Sequence, residues 1–259
     1  MRKKMFYRFW RFLYEVSIYG MNMGPASGYP YYSGEEWIIN FVKNHITHPL
    51  PTIFDIGANR GDYASAIIAS FGCENIHLHC FEPSRTAFEW LKRQLPEFRN
   101  IQCHNFGFGD KTEKVHLYGC SAGVGSASVI NAQYHNRDHS NSVEEIELTT
   151  LDEFCNVNHI QKIDFIKMDV EGYELNILRG GGRLINSNAI DFIQFEFGFP
   201  GIESRVFFKD IFSCLSDRYR IYRSLFDGLV EIETYDYKDE LYTIQNFLAI
   251  SRQLTSRTR

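Results

Sequence analysis

The sequence predicts an α/β fold, in which a mainly parallel sheet is covered by helices on both faces. From Glu35 onward, short apolar runs alternate with amphipathic stretches, and a βαβα order is typical of parallel sheets. Residues 53–61, Ile-Phe-Asp-Ile-Gly-Ala-Asn-Arg-Gly, have the pattern of a strand that enters a glycine-containing turn and then a helix. A second apolar run, residues 76–81, is followed by Glu82. An acidic residue at this position holds ribose hydroxyls in many nucleotide-binding sheets.

The first fifty residues are expected to be a helical segment and a loop, distinct from an α/β domain over 51–259. Residues 1–19 combine five basic residues with many aromatic ones, and residues 20–30 are rich in Gly and Pro. Because basic residues interrupt its apolar stretch, the segment is not a secretory signal. We expect a helix packed on the domain. An interfacial segment that touches anionic lipid is the alternative.

Strands are predicted where apolar or alternating runs lie between Gly, Pro, Asn or Asp residues. The run over 164–168 is apolar throughout, as expected for a buried parallel strand, whereas 115–118 alternates like an edge or hairpin strand. The predicted strands are 52–55, 76–82, 101–106, 115–118, 145–149, 164–168, 190–197, 220–224 and 243–249.

Helices are predicted where apolar residues recur at helical spacing. Ser84 is a candidate N-cap for one of them and Pro96 ends it, while the glycines at 180–182 end another. The predicted helical stretches are 35–44, 62–71, 85–95, 151–155, 171–178 and 206–215.

Composition limits the classes of function. The chain has 259 residues, a net charge of −5 and 44% hydrophobic residues, so one large domain is expected and a nucleic-acid partner is not. Six scattered cysteines without a CxxC pair indicate reduced thiols and a cytoplasmic protein. No apolar stretch reaches the 18 residues that predict a membrane-spanning helix.

The expected site lies at the carboxyl ends of the parallel strands, where open α/β sheets bind their ligands. Four acids fall at these ends, namely Asp55, Glu82, Asp169 and Glu196. The glycine spacing after the first strand is GxxxG and not the GxGxxG of pyrophosphate binders. This loop therefore suits S-adenosylmethionine, which carries an amino acid where a dinucleotide carries phosphates. Neighbouring carboxylates could also hold a divalent cation, so no metal site is assigned and the alternative stays open.

Several phrases make the chain resemble a known family over about residues 52–198. They are Phe-Asp-Ile-Gly-Ala-Asn-Arg-Gly, Phe-Glu-Pro-Ser, Asn-Phe-Gly-Phe-Gly-Asp, Thr-Thr-Leu-Asp, Ile-Lys-Met-Asp-Val-Glu-Gly-Tyr-Glu and Leu-Arg-Gly-Gly. Together they resemble the FkbM family of methyltransferases. The resemblance implies a Rossmann-like class I methyltransferase domain over 51–259, with S-adenosylmethionine as cofactor. It also implies O-methylation of a sugar, glycolipid or polyketide-like acceptor.

The resemblance and the chemistry of the cofactor assign expected roles. The loop after the first strand should line the methionine moiety, Glu82 should accept the ribose hydroxyls, and the residues after the third strand should border the adenine. The expected cofactor-binding residues are Asp55, Gly57, Ala58, Asn59, Gly61, Glu82, Pro83, Asn105, Phe108 and Asp169.

A hydroxyl acceptor needs a base, because it is a poor nucleophile until its proton is removed. Asp169 and Glu171 are the candidates, and Asp169 is preferred. Glu171 and Glu174 have an alternative role as charges in the first turn of a helix. Any of three histidines, His104, His135 and His139, is a weaker candidate.

Other classes of protein remain as alternatives. The acceptor could be a protein or a small non-sugar metabolite, or the chain could be a non-catalytic nucleotide-binding protein. The four strand-end acids favour an enzyme. A small-molecule or glycan acceptor is expected, peripheral membrane contact is possible but not favoured, and the oligomeric state is left open. The loop over 119–128 is either a lid on the acceptor or a plain surface loop.

Overall fold

The fold was analysed in a computed structural model that describes residues 2–23, 34–120, 127–131 and 142–255. The first half of the chain supplies helices α1 (Arg2–Gly20) and α2 (Glu35–His45), followed by three strands of the main sheet that alternate with two helices. These elements are β1 (Thr52–Ile56), α3 (Asp62–Phe71), β2 (His77–Phe81), α4 (Arg85–Gln94) and β3 (Ile101–His104).

A small second sheet interrupts this alternation. It has three strands in the order β4-β6-β5, namely β4 (Gly107–Phe108), β5 (Glu113–Tyr118) and β6 (Val143–Thr149). The chain then returns to the main sheet through α5 (Leu151–Val157), β7 (Ile163–Met168), α6 (Glu174–Gly180), α7 (Gly182–Asn186) and β8 (Ile190–Phe197). The last elements are α8 (Pro200–Ser204), α9 (Phe208–Leu215), β9 (Tyr219–Ser224), β10 (Leu229–Ile232), β11 (Gln245–Ser251) and α10 (Arg252–Thr255).

The main sheet has eight strands in the order β10-β9-β11-β8-β7-β1-β2-β3. The five strands from β3 to β8 are mutually parallel, whereas β11 pairs antiparallel with both β8 and β9. Since two reversals restore the direction, β9 runs the same way as the five parallel strands. At the edge, β10 pairs antiparallel with β9. A Rossmann-like parallel order with the reversed strand β11 inserted before β9 is the class I methyltransferase arrangement, so the predicted fold class is confirmed.

Alternate residues of the central strands pack on opposite faces of the sheet. In β1, fully buried Ile53 packs with α3, while equally buried Phe54 faces the other way and packs on Phe154 of α5. Helix α2 contributes Ile38 and Val42 to the same core as Ile53. Helices therefore cover both faces, as predicted, and the domain boundary at residue 50 stays a prediction.

One predicted helix start and one predicted helix cap differ from the structure for local reasons. Helix α6 begins at Glu174 and not at Glu171, because Glu171 (φ 54°) and Gly172 (φ 96°) have left-handed backbone. The hydroxyl of Ser84 does not cap α4; its backbone N–H instead donates to Glu82. The three-stranded sheet and β10 were not predicted as such.

The expectation that α1 packs along the domain is wrong. Large apolar side chains from Phe6 to Val16 are exposed, and burial begins only at Ile18 and Met23. The ring of Tyr19 lies 5.9 Å from that of Phe226. Among the described residues, helix α1 thus meets the domain only at its carboxyl end. No helix in the part of the chain that the structure describes is long and apolar enough to cross a membrane.

Candidate active site

The loop after β1 is held against the ends of two neighbouring strands. The backbone N–H groups of Gly57 and Ala58 both donate to the carbonyl oxygen of Phe81, at 3.0 Å. Gly57 has φ 78°, and a Cβ added there would lie 1.9 Å from the carbonyl oxygen of Asp169. Only glycine fits such a close approach of backbone to backbone. The loop thereby brings the ends of β1, β2 and β7 together.

Glu82 follows β2 and is oriented by the backbone. One carboxylate oxygen accepts from the N–H of Asn59 at 2.9 Å, and the other accepts from the N–H of Ser84 at 2.8 Å. Glu82 is buried, and this burial raises its pKa to about 7 despite both hydrogen bonds. Because a carboxylate has about four lone-pair sites, each oxygen can accept a further hydrogen bond from a ligand hydroxyl.

Asn105, after β3, fixes the position of the segment that carries Glu82. Its side-chain amide donates to the carbonyl oxygens of Glu82 and Pro83, both at 2.9 Å. Glu82, Pro83 and Phe108 of β4 line the cleft. Asn105 does not line it. Asn105 therefore positions the backbone of Glu82 and Pro83, which are expected to contact the nucleoside.

A buried lysine connects β1 with β7. Lys167 Nζ lies 3.5 Å from a carboxylate oxygen of Asp55 and 3.4 Å from one of Asp169. It also lies 5.0 Å from the centroid of the Tyr63 ring. Burial favours the neutral amine, but the two carboxylates outweigh it and hold the pKa of Lys167 above its usual range. Lys167 is therefore a fixed positive charge beneath the site.

Asp55 lies under the loop and not in the wall of the cleft. Its side chain is 0% exposed, and burial raises its pKa against the opposing charge of Lys167. The ion pair with Lys167 is its one charge contact among the described residues. Asp55 therefore lies one layer below the cleft wall, and its expected contact with the methionine moiety stays a prediction.

Asp169 and Glu171 both line the cleft but differ in their partners. The Asp169 side chain is 39% exposed and paired with Lys167. Glu171 adopts φ 54°, and its carbonyl oxygen accepts from the hydroxyl of Ser128 at 2.9 Å. Burial, then the charges of Asp169 and Glu174, raise the pKa of Glu171 to about 8. A non-glycine residue held with positive φ is typical of functional sites.

Two other acids near this edge face elsewhere. Glu174 is buried, and its carboxylate accepts from the N–H groups of Val170 at 3.2 Å and Gly172 at 3.4 Å, so it braces the turn before α6. Burial raises its pKa to about 7. Glu174 and Glu196 line a second, smaller cavity together with Pro200. Of the four strand-end acids, only Glu82 and Asp169 therefore line the main cleft.

The main cleft encloses about 940 Å³, including the part open to solvent. Seven of the predicted site residues line it, namely Gly57, Asn59, Glu82, Pro83, Phe108, Asp169 and Glu171. Four do not: Asp55, Ala58, Gly61 and Asn105. Ala58 belongs to the core. Gly61 faces α4, where an added Cβ would meet Leu91 at 2.9 Å.

The sequence matches the family model described as "Methyltransferase FkbM domain" over residues 55–223. The chain belongs to the FkbM methyltransferase family. It is therefore a methyltransferase by family, and the cofactor expected from the sequence, S-adenosylmethionine, agrees with this membership.

Relatives of this FkbM protein include one curated enzyme and several solved structures. The chain is 23% identical to "2-O-methyltransferase NoeI" of Sinorhizobium fredii over 60% of this chain and 67% of that protein. It matches the structure of FkbM from Methylobacillus flagellatus with a TM-score of 0.48 and 17% identity, over 82% of this chain and 47% of that one. It therefore spans about half the length of that protein. A further match is N-methyltransferase NodS of Bradyrhizobium japonicum, solved with S-adenosyl-L-homocysteine, with a TM-score of 0.45 and 7% identity over 87% and 90% of the two chains.

One wall of the cleft was missed by sequence reasoning. It is apolar and comes mainly from the small second sheet and the residues beside it, with Leu117, Cys120, Ala127, Val129, Ile146, Leu148 and Tyr173. Across from it lie Arg60 and Trp90, with the guanidinium carbon 5.7 Å from the ring centroid. The alternation in 115–118 and 145–149 indicates strands, but nothing local in the sequence shows that their apolar side faces the site.

Of the three candidate histidines, the structure describes only His104. His104 stacks on Phe81 with ring centroids 4.7 Å apart, and burial lowers its pKa to about 4, so it is a partly buried residue that is neutral near pH 7. His135, His139 and most of the loop over 119–128 lie outside the described residues. The six cysteines are free. Among the described ranges, no group of three His, Cys, Asp or Glu residues is arranged to hold a metal ion.

Proposed function

We propose that the protein is an S-adenosylmethionine-dependent O-methyltransferase that acts on a hydroxyl of a sugar, glycolipid or polyketide-like acceptor. One observation carries the proposal. A single cleft contains Glu82, oriented to receive two ribose hydroxyls, and Glu171, a carboxyl group whose pKa of about 8 suits proton transfer near neutral pH.

The residues that line the cleft fit the cofactor. Glu82 would accept the ribose hydroxyls, and Pro83 and Phe108 would contact the nucleoside. The loop over Gly57 and Asn59, with Asp169, would receive the methionine end, because a carboxylate attracts the positively charged ammonium group. When bound, the cofactor supplies an activated methyl group on a positively charged sulfur.

The protein's part in methyl transfer is to hold the acceptor in line and to take its proton. Holding both reactants in one cleft supplies much of the rate. We infer that Glu171 is the base. The Glu171 carboxylate would accept the hydroxyl proton of an acceptor held against the methyl group that the cofactor supplies.

The contacts support Glu171 over Asp169 as that base. Asp169 is paired with the Lys167 ammonium at 3.4 Å, so one of its oxygens is already engaged. Glu171 makes no ion pair with the described residues, and neighbouring carboxylates raise its pKa. Asp169 would then hold the methionine end beside Lys167.

The choice of oxygen as the methylated atom is supported by the relative named 2-O-methyltransferase. The apolar wall of the second sheet fits an acceptor with an apolar face, such as a sugar ring or a lipid-linked glycan. A protein or a small non-sugar metabolite is the alternative acceptor, and a non-catalytic nucleotide-binding protein is the alternative class. The free cysteines support a cytoplasmic location.

The test is incubation with methyl-labelled cofactor and separate polysaccharide, glycolipid, lipid and protein fractions. We expect label in a hydroxyl-bearing glycan or lipid fraction, with the rate of transfer reduced at least about 100-fold in the Glu171→Gln variant. Label on nitrogen or carbon would contradict the reaction class. Cofactor binding without transfer to any fraction would favour the non-catalytic alternative.

A further inference from the structure

Helix α1 presents an exposed apolar face that the domain leaves uncovered. Phe6, Phe9, Trp10, Phe12 and Tyr14 are each between 52% and 63% exposed. Scattered exposed apolar residues are normal on a protein surface, but a contiguous apolar face marks an interaction site.

Four of the six charged residues of α1 lie in one narrow stripe. Lys4, Arg8, Arg11 and Glu15 are spaced four, three and four residues apart, so they lie along one face of the helix. Arg11 and Glu15 pair at 3.7 Å, as this spacing requires. From Phe6 to Val16, apolar and aromatic residues occupy the rest of the circumference. They form a face wider than the narrow seam that one partner helix of a coiled coil covers.

The charge of the helix is opposite to that of the domain. Residues 2–20 hold five basic residues and one acidic residue, a net charge of +4, which leaves −9 for the rest of a chain whose total is −5. Two copies of α1 would therefore repel each other, and so would the domain and an anionic surface. Helix α1 is the part of the chain suited to a negatively charged partner.

The segment just after α1, at Asn22, is called its root and lies at the edge of the sheet where the cleft opens. The Asn22 side chain donates to the carbonyl oxygen of Ser224 at 3.4 Å, and Ser224 is the last residue of β9. Because β9 runs parallel to β1, its end lies at the same edge as the ends of β1 and β2. The order β9-β11-β8-β7-β1 places the root about 19 Å along that edge from the loop after β1, at roughly 4.8 Å per strand.

We propose that α1 binds the surface of an anionic lipid bilayer, with its apolar face in the interface and its basic stripe among the head groups. A basic stripe opposite a Trp- and Phe-rich face is the composition of helices that lie flat in the interface. Tyr7, Trp10 and Tyr14 have rings suited to head-group depth. Bound in this way, α1 holds the cleft-bearing edge of the sheet near the lipid surface.

The experiment measures binding of the full chain to vesicles of phosphatidylcholine with a quarter phosphatidylglycerol, and to vesicles of phosphatidylcholine alone. We expect sedimentation with the anionic vesicles and much less with the neutral ones. The pair Lys4→Gln and Arg8→Gln should weaken binding about 25-fold, at about fivefold for each basic residue near the surface. The pair Phe9→Ser and Trp10→Ser should weaken it at least about tenfold, because apolar burial is lost.

The matched control is Val157→Ser, which changes an apolar residue that is 67% exposed on another helix and should leave vesicle binding unchanged. Thermal melting of each variant shows that the domain is folded. Absence of binding to anionic vesicles, or binding that the α1 variants leave intact, would overturn the proposal. A concentration-dependent dimer lost in the Phe9→Ser and Trp10→Ser pair, without vesicle binding, would identify a second copy as the occupant.

Discussion

Glu82 is the residue on which cofactor affinity should depend most. Both of its oxygens are aimed by backbone N–H groups, so little ordering is needed when the ribose arrives. Replacement by alanine removes two charge-assisted hydrogen bonds, and we expect cofactor binding to weaken by about 2–3 kcal/mol. Calorimetry with S-adenosylmethionine measures this. The exposed Glu89→Ala is the matched control, and equal affinities in the two variants would contradict the assignment.

Glu171 should set the pH dependence of turnover. Since burial and neighbouring carboxylates raise its pKa to about 8, the ionised base becomes available as the pH rises through that value. We expect kcat to rise between pH 7 and pH 9. The Glu171→Gln variant should lose about 10²- to 10⁴-fold in kcat while keeping its affinity for the cofactor.

The Asp169→Asn variant distinguishes cofactor binding by Asp169 from proton transfer by Asp169. If Asp169 holds the methionine end, this variant should bind the cofactor more weakly and keep the pH dependence of kcat that Glu171 imposes. Normal cofactor affinity with a large loss of kcat would instead make Asp169 the base. The two variants are compared at saturating cofactor, so that affinity and chemistry are read separately.

At the scale of elements, the Lys167 ion pairs join β7 to β1 beneath the cleft. Lys167→Met would leave the fully buried Asp55 without a counter-charge, and we expect a loss of about 3–5 kcal/mol in the free energy of unfolding. Adding Asp55→Asn removes that unpaired charge, so the double variant should be less destabilised than the sum of the single ones. Urea denaturation measures all three. Additive effects would show that the pair is not coupled.

The elements that sequence predicted well are those that local patterns define. The strand–loop–helix around Gly57 and the end of β2 at Glu82 were located correctly, because apolar runs and glycine spacing are local signals. Asp55 shows the limit. Its position at the strand end was right, yet the side chain turns under the loop to meet Lys167, a residue 112 positions away in the sequence. The apolar wall from β5 and β6 was missed for the same reason, since long-range packing decides which surface a small sheet faces.

Helix α1 shows a different limit. Its helical pattern was visible in the sequence, but a wide apolar face predicts burial without saying against what. Packing on the domain was expected because apolar helical faces usually lie in a core. In the structure the domain core is already complete around α2, whose Ile38 and Val42 are fully buried, so α1 extends past it.

At the scale of the whole molecule, the cleft makes stability depend on pH. Burial raises the pKa of Glu82 and Glu174 to about 7, and that of Glu171 to about 8 with help from neighbouring carboxylates. In the unfolded chain these groups titrate near 4.5. Between these values the folded state binds more protons than the unfolded state, so stability falls as the pH rises. Two partly buried histidines make stability rise with pH at lower pH, since burial lowers the pKa of His79 and His104 from 6.5 to about 4.

The acids outweigh the histidines between pH 6.5 and pH 8, because the histidines of the unfolded chain are already half deprotonated at pH 6.5 and lose their remaining protons just above it. We expect the melting temperature of the ligand-free protein to fall across this window. Glu171→Gln should make the fall shallower, since one of the acids with a raised pKa is gone. Scanning fluorimetry at constant ionic strength measures the effect, with the exposed Glu97→Gln as control. A melting temperature that rises from pH 6.5 to pH 8 would mean that the cleft carboxylates are ionised and compensated in the folded state, and Glu171 would then be ionised well below neutrality.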